Sequence, residues 1–207
     1  MRSQCDQLIL ANFLPYFHYM KKSLVNLATL SIGAALLMAL APAGNIYFSR
    51  NGHVSFLSST PLEDIKGDNN QVGTVLNTNT GGLDFTIAIT AFQFDKAKLQ
   101  EHFNENYMES TKFPKAIYKG TISNLSEIKF GTAGTYKAKV NGKMTMHGVT
   151  KDLAADGTIE VKGTQVIVKS TFNIDPADYQ IKIPEAVKDK IAKSIKVSVD
   201  CVLNPKP

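Results

Sequence analysis

Residues 134–147 constrain this chain more than any other stretch. Tyr136, Ala138, Val140, Gly142, Met144 and Met146 fall on one side of a two-residue period, and Lys137, Lys139, Asn141, Lys143 and Thr145 on the other. Successive side chains of a strand point to opposite faces, so this alternation predicts one long strand with an apolar and a wet face. Asn141-Gly142 is a common hairpin signal, but the alternation runs through it without a change of phase, so Gly142 reads as a bend or bulge. The polar stretch 147–152 then predicts a turn, and the apolar run after Asp152 a return strand. A hairpin with one apolar face fixes the register of its neighbours.

The rest of the chain carries the same period in shorter pieces. Residues 83–91 put Leu83, Phe85, Ile87, Ile89 and Ala91 on one face. Residues 115–123, 153–161, 164–174 and 196–203 read as further strands, with Lys162-Gly163 as the turn between the middle two. Upstream, Ile46-Tyr47-Phe48 and residues 53–57 are short strands separated by an Asn51-Gly52 turn signal. Residues 58–70 are polar, with Pro61 and Asp68-Asn69-Asn70, and read as an irregular connection; 71–77 is a strand and 78–82 a turn. The period becomes helical at 95–104, where Leu99 and Phe103 lie four apart behind Asp95 as N-cap, and at 184–193, which opens on Pro184. Many short strands with no βα alternation indicate an all-β antiparallel sheet, closed as a barrel or stacked as a sandwich. Periodicity does not choose between these.

The N-terminus has a different character. Met20-Lys21-Lys22, the apolar run 24–40 and Ala41-Pro42-Ala43 follow the layout of a secretory signal peptide: basic start, apolar core, small-residue exit. The chain therefore divides into residues 1–19, an upstream extension that fits no part of the signal; residues 20–43, the signal peptide; and residues 44–207, one globular domain. Removing residues 1–43 takes away three basic residues and one acidic one, so the net charge of +5 falls to +3. That mild, mixed charge gives no basic groove for nucleic acid. The expected location is periplasmic or secreted, with no stable membrane insertion after cleavage. Cys5 lies upstream of the signal, so Cys201 is left without an internal disulfide partner and, in the apolar phase of the last strand, reads as a buried inert thiol.

No motif for nucleophilic catalysis, phosphate binding or dinucleotide binding is present. His53, His102 and His147 lack metal-ligand spacing. His147 falls in the polar phase of its strand and reads as a turn histidine bonded within its own hairpin; His102 reads as exposed on a helix face. No cofactor, metal or catalytic residue is expected.

Residues 143–151, Lys-Met-Thr-Met-His-Gly-Val-Thr-Lys, resemble the "LT(I/L)HGVTKP" signature of the YceI-like proteins, a polyisoprenoid-binding, lipocalin-like family of exported bacterial proteins. Residues 106–116, where Tyr107, Glu109 and Phe113-Pro114 lead into a strand, are similar to the second landmark of that family. Residues 172–181 are similar to the third. Asp152 stands where the family usually has proline, and Gln180 where glycine is common.

The resemblance spans about 46–203 and implies an extended eight-stranded antiparallel lipocalin-like barrel with one or two short helices. It also implies an apolar interior that holds a long isoprenoid or other lipid chain. On that reading the lining candidates are Phe85, Ile87, Ile89, Tyr136, Val140, Met144, Met146, Phe172, Ile174, Val197 and Val199; ordinary core packing is the plainer reading of any one of them, and Met144 and Met146 lean toward ligand contact. Lys112, Lys115, Lys119 and Lys151 are head-group candidates, against a plain reading as solvated surface lysines. The implied function is non-catalytic lipid binding, storage or transport, with a homodimer possible. Two alternatives stay open: a secreted stress or interaction protein whose barrel is filled by its own side chains, and an enzyme on a lipid or quinone-like substrate using His147 or His102.

Overall fold

A computed structural model describes residues 45–206; the proposed upstream extension and signal peptide lie outside them. Eight antiparallel strands follow one another around a single closed sheet. They are β1 (Ile46–Ser59), β2 (Asp64–Asn77), β3 (Gly82–Ala88), β4 (Lys115–Ile122), β5 (Gly134–Met146), β6 (Val149–Lys162), β7 (Gln165–Ile174) and β8 (Ile195–Pro205). Every strand pairs with its sequence neighbours, and β8 returns to pair with β1 from Tyr47↔Pro205 to Leu57↔Lys196. That last pairing closes the sheet and decides for the barrel over the sandwich, although residues 149–156 of β6 pair with β5 alone.

The long alternation of β5 holds without a break. Its pairing with β6 runs from Gly134↔Val161 to Met146↔Val149 with no register shift. The turn is only His147-Gly148, both at positive φ (52° and 78°), as a two-residue type I′ hairpin requires. Residues 149–152, read as turn, are therefore already strand. Gly142 is neither bend nor bulge: it lies opposite Gly120 of β4, and a Cβ on it would collide with the Lys119 carbonyl and the Tyr118 ring. The glycine pair makes room for Tyr118, whose hydroxyl crosses β5 to donate to Leu153 O of β6 at 3.1 Å. Burial pushes that phenol's pKa up, which keeps it a donor.

Asn51-Gly52 is not a turn. β1 runs straight through it, with register shifts against β2 on both sides of Gly52. Gly52 sits hard against Cys201 Sγ, so the bulge is where β1 yields to a buried thiol. Residues 64–70, read as irregular, belong to β2. Asn69 is fully buried there, donating to Ala88 O at 2.8 Å and accepting from Gln71 N at 2.8 Å. Its polarity is satisfied across the sheet, so it does not break the strand.

β3 ends at Ala88, and Ile89–Ala91 forms one 3-10 turn that keeps Ile89 buried. Helix α1 covers Ala97–His102, with Lys96 at its N-cap and no capping side chain; Asp95 does not cap it. A wider π turn follows over Phe103–Tyr107. The segment opening on Pro184 becomes a 3-10 helix over Glu185–Lys190.

One end of the barrel is packed solid. Tyr47, Leu76, Ile122, Ile159, Val161, Val166 and Leu203 are buried there, together with Ile128 of the β4–β5 connection. The connections at that end between β2 and β3 and between β6 and β7 are short. At the opposite end two long connections, residues 89–114 and 175–194, fold over the opening.

Candidate functional site

The open end encloses a cavity of about 350 Å³, and a smaller hollow of about 70 Å³ lies beneath it. Val54, Ile87, Met144 and Val197 border both, so the two form one tapering space. The upper ends of the strands supply its walls. Its cover comes from α1 and the π turn, where Leu99, Phe103 and Tyr107 repeat every fourth residue toward the cavity, and from Ile181, Ile183 and Val187 of the β7–β8 connection.

Ten of the eleven residues proposed from sequence border this space. Ile89, Met146 and Ile174 join Ile87, Met144 and Val197 around the larger cavity. Phe85, Val140, Phe172 and Val199 surround the smaller hollow. Tyr136 borders neither. It lies toward the packed end, where its hydroxyl donates to Thr132 O at 2.9 Å. A period of two tells which face a residue is on, not its height along the barrel.

The aromatic wall of the cavity was missed. Phe56 contacts Phe92, Phe94 and Phe103 with ring centroids 5.4, 5.8 and 5.5 Å apart. Phe56 lies over Gly67 of β2, where a Cβ would come within 2.5 Å of its ring. The signal was Phe92-Gln93-Phe94, an aromatic alternation that continues beyond the end of β3.

The four lysine candidates lie on the outside, and none borders the cavity. Lys112 sits 4.8 Å from the Phe113 ring centroid, and Lys151 pairs with Asp178 at 3.4 Å. Lys115 and Lys119 are exposed, and Lys119 lies opposite Asp84 and Lys143 in the register. Lys112 lies in a loop, and Lys115 and Lys119 sit in the polar phase of β4; Lys151 shares the inward phase of β6, opposite Met144, but lies beyond the last β6–β7 pair, Gly157↔Ser170, and is exposed at the rim. The polar residues that do border the cavity are Ser58, Glu63, His102 and Lys190. Ser58 is buried, its Oγ accepting from Ala192 N at 2.8 Å, which ties the cover to β1. Glu63 takes a 3.4 Å contact from Lys96.

The histidines part ways. His53 pairs with Asp68 at 3.0 Å on the outer face, beside Lys66 at 2.9 Å. Partial burial raises the Asp68 pKa, but hydrogen bonds and charge from Lys66 and His53 outweigh it and hold the carboxyl below its ordinary range. His102 is half-buried at the cavity rim, with Asn106 Nδ2 donating to its Nδ1 at 2.8 Å; it is not exposed as expected. His147 does not bond within its own hairpin. Its Nδ1 lies 3.0 Å from Tyr179 O and its Nε2 3.1 Å from Glu109 Oε2, because αL backbone at the turn swings the ring toward both cover segments. Gln180, where glycine is common in the family, takes αL backbone at φ 56°. Cys201 is fully buried; burial raises its thiol pKa, more than hydrogen bonds near Thr74 and His53 O lower it. Among the described residues no group of three His, Cys, Asp or Glu is placed to hold a metal ion, and no helix is long and apolar enough to cross a membrane.

The family model described as the YceI-like domain matches residues 49–203. A comparison with curated protein sequences returns no match. Among solved structures, a polyisoprenoid binding domain from Saccharophagus degradans implicated in plant cell wall breakdown superposes with a TM-score of 0.68 at 12% identity, covering 78% of this chain and 99% of that one. BcnA of Burkholderia cenocepacia gives 0.59 at 15% identity, over 73% and 95% of the two chains. The YCEI protein of Campylobacter jejuni gives 0.56 at 17% identity, over 70% and 87%. At these identities the likeness is one of fold.

Proposed function

This chain belongs to the YceI-like family, and from that premise we propose that it binds, stores or carries a polyisoprenoid or similar amphiphilic lipid, without catalysis, in the periplasm. The observation that carries the reading is the cavity: about 350 Å³, walled almost wholly by aliphatic and aromatic side chains, within the range of about 300–1,000 Å³ typical of ligand pockets. An isoprenoid tail has no hydrogen-bonding groups, and burying it contributes about 0.8 kcal/mol per methylene. The aromatic wall and the three methionines, Met108, Met144 and Met146, suit such a chain, because methionine adapts its shape to flexible partners. The Saccharophagus degradans relative, a polyisoprenoid binding domain, supports the ligand class. Export is supported by the leader-like composition of residues 20–43.

Volume limits the tail. An apolar cavity of about 150 Å³ holds one benzene, so a space of about 350 Å³ accepts roughly a dozen carbons, two or three isoprene units. A longer chain has to extend past the cover or displace it.

Native mass spectrometry of protein purified from its own host tests the reading. A bound lipid is expected, and its absence counts against carriage. The variant Ala116→Phe places a ring in the cavity from β4. It is expected to remain folded and to lose the lipid; an unchanged lipid load with the ring in place overturns the assignment of this cavity.

A further inference from the structure

The His147 clasp has a chemical consequence that binding alone does not use. Its ring is wedged between three segments. It sits on the β5–β6 turn, with Nδ1 facing the Tyr179 carbonyl of the β7–β8 connection and Nε2 facing the Glu109 carboxylate of the β3–β4 connection. The side chain is 11% exposed, and Phe113 packs edge-on against it at 4.7 Å. Phe113 also presses on Gly148, where a Cβ would come within 2.7 Å of its ring. Both partners of the imidazole are oxygen acceptors. A carbonyl cannot donate, so Nδ1 must carry a proton. An ionised carboxylate cannot donate either, so Nε2 must carry one too. The complete clasp therefore holds one proton more than a neutral imidazole beside a carboxylate, either as imidazolium with Glu109 ionised or as neutral ring with Glu109 protonated. Two other cations lie nearby: Lys151 is paired with Asp178, next to Tyr179, and Lys112 Nζ lies 4.8 Å from the Phe113 ring centroid.

We propose that His147 is a proton-operated latch on the cavity cover. With the extra proton present, both cover segments are tied to the hairpin. When it leaves, the neutral ring has one N–H for two acceptors and one segment is freed. Met108, next to Glu109, and Ile181, two residues past Tyr179, border the cavity, so release loosens its cover. Imidazole is the side chain that changes charge between about pH 5 and 8. The latch is therefore shut on the acid side and opens as pH rises. The ligand readout below rests on the lipid-binding reading; the latch itself does not.

Amide hydrogen exchange, expressed as protection factors, tests this on the full chain without any ligand. Between about pH 5.5 and about pH 8, protection across 103–113 and 176–183 is expected to fall roughly tenfold, the scale of one charge-assisted hydrogen bond, while β6 and β8 do not change. Glu109→Gln separates a latch from a merely structural histidine. A glutamine amide can donate to the bare Nε2 of a neutral ring, so this variant is expected to keep its protection at the higher pH. His147→Asn preserves the turn, since Asn-Gly favours type I′ geometry, and is expected to show low protection at both pH values. Protection independent of pH in the unmodified chain, or a Glu109→Gln variant that opens like it, overturns the latch. Release of the fluorescent apolar probe N-phenylnaphthylamine, followed in parallel, is expected to quicken with pH. If the probe never binds while protection still follows the proton, the lipid reading fails and the latch stands.

Discussion

The two ends of the barrel are built from the same eight strands by the same alternation, yet one is filled and the other is hollow. At the filled end the β2–β3 and β6–β7 connections are short, Ile128 of the longer β4–β5 connection is buried, and Leu76, Ile159, Val166 and Leu203 are wholly buried. At the hollow end two long connections span the opening. They bring apolar residues to the rim, but those residues line the space without filling it. The difference teaches that inward-facing apolar residues do not by themselves make a core. What closes the ends decides whether they become packing or lining.

Truncating a side chain at each end breaks that comparison most sharply if it is wrong. Leu203→Ala removes atoms from a fully buried site and is expected to cost about 2–5 kcal/mol, read from urea unfolding midpoints. Met146→Ala removes atoms that already border empty space, so less than half that loss is expected, together with a change in bound lipid. Equal losses at the two sites would mean the cavity is closed in solution.

The glycines under the aromatic rings sharpen the contrast. A methyl on Gly142 meets backbone, the Lys119 carbonyl and the Gly120 Cα, which cannot give way. Gly142→Ala is expected to destabilise by about 1–3 kcal/mol. A methyl on Gly67 meets only the Phe56 ring, a side chain bordering the cavity that can shift together with the phenylalanines it touches where backbone cannot. Gly67→Ala is expected to cost less in thermal unfolding and to show mainly as altered lipid affinity, because the ring turns inward. If Gly67→Ala proves the more damaging, the aromatic wall is packing and not a movable lining.

The smallest effect belongs to Asp68, where β1 and β2 meet on the outer face. Its carboxyl pKa is lowered in the folded chain, so ionisation favours folding. That stability is present above the ordinary carboxylate range and is lost as pH falls through the lowered folded value. The group is about a third exposed (34%), which limits it to about 0–1 kcal/mol. Asp68→Asn is expected to flatten the acid limb of the stability–pH curve slightly and to leave the neutral midpoint within that margin.

The strands themselves were legible wherever one face is uniformly apolar. β5, the first six residues of 83–91, and β8 stand close to where alternation put them. Legibility failed where polar residues in a strand are satisfied by distant partners. Nothing near Asp68 or Asn69 in sequence announces His53 or the Ala88 carbonyl, so 64–70 reads as loop. Gly52 reads as a turn because the thiol that presses on it lies 149 positions on. Ten lining residues follow from strand phase together with the family resemblance, all of them on strands or at their ends. Tyr136 was misplaced, and the phenylalanine wall was missed, because height along the barrel and the path of the long connections depend on tertiary closure.

The pairing of the first strand with the last sets a constraint in time. β1 begins at Ile46 and its partner β8 ends at Pro205, so nearly the whole chain must exist before the sheet can close. Contacts so far apart in sequence form slowly. Until β8 docks, β1 and β7 each present an open edge to any other strand in reach. A chain cut before Ile195 keeps seven strands and both edges, and its expected fate is association with its own copies.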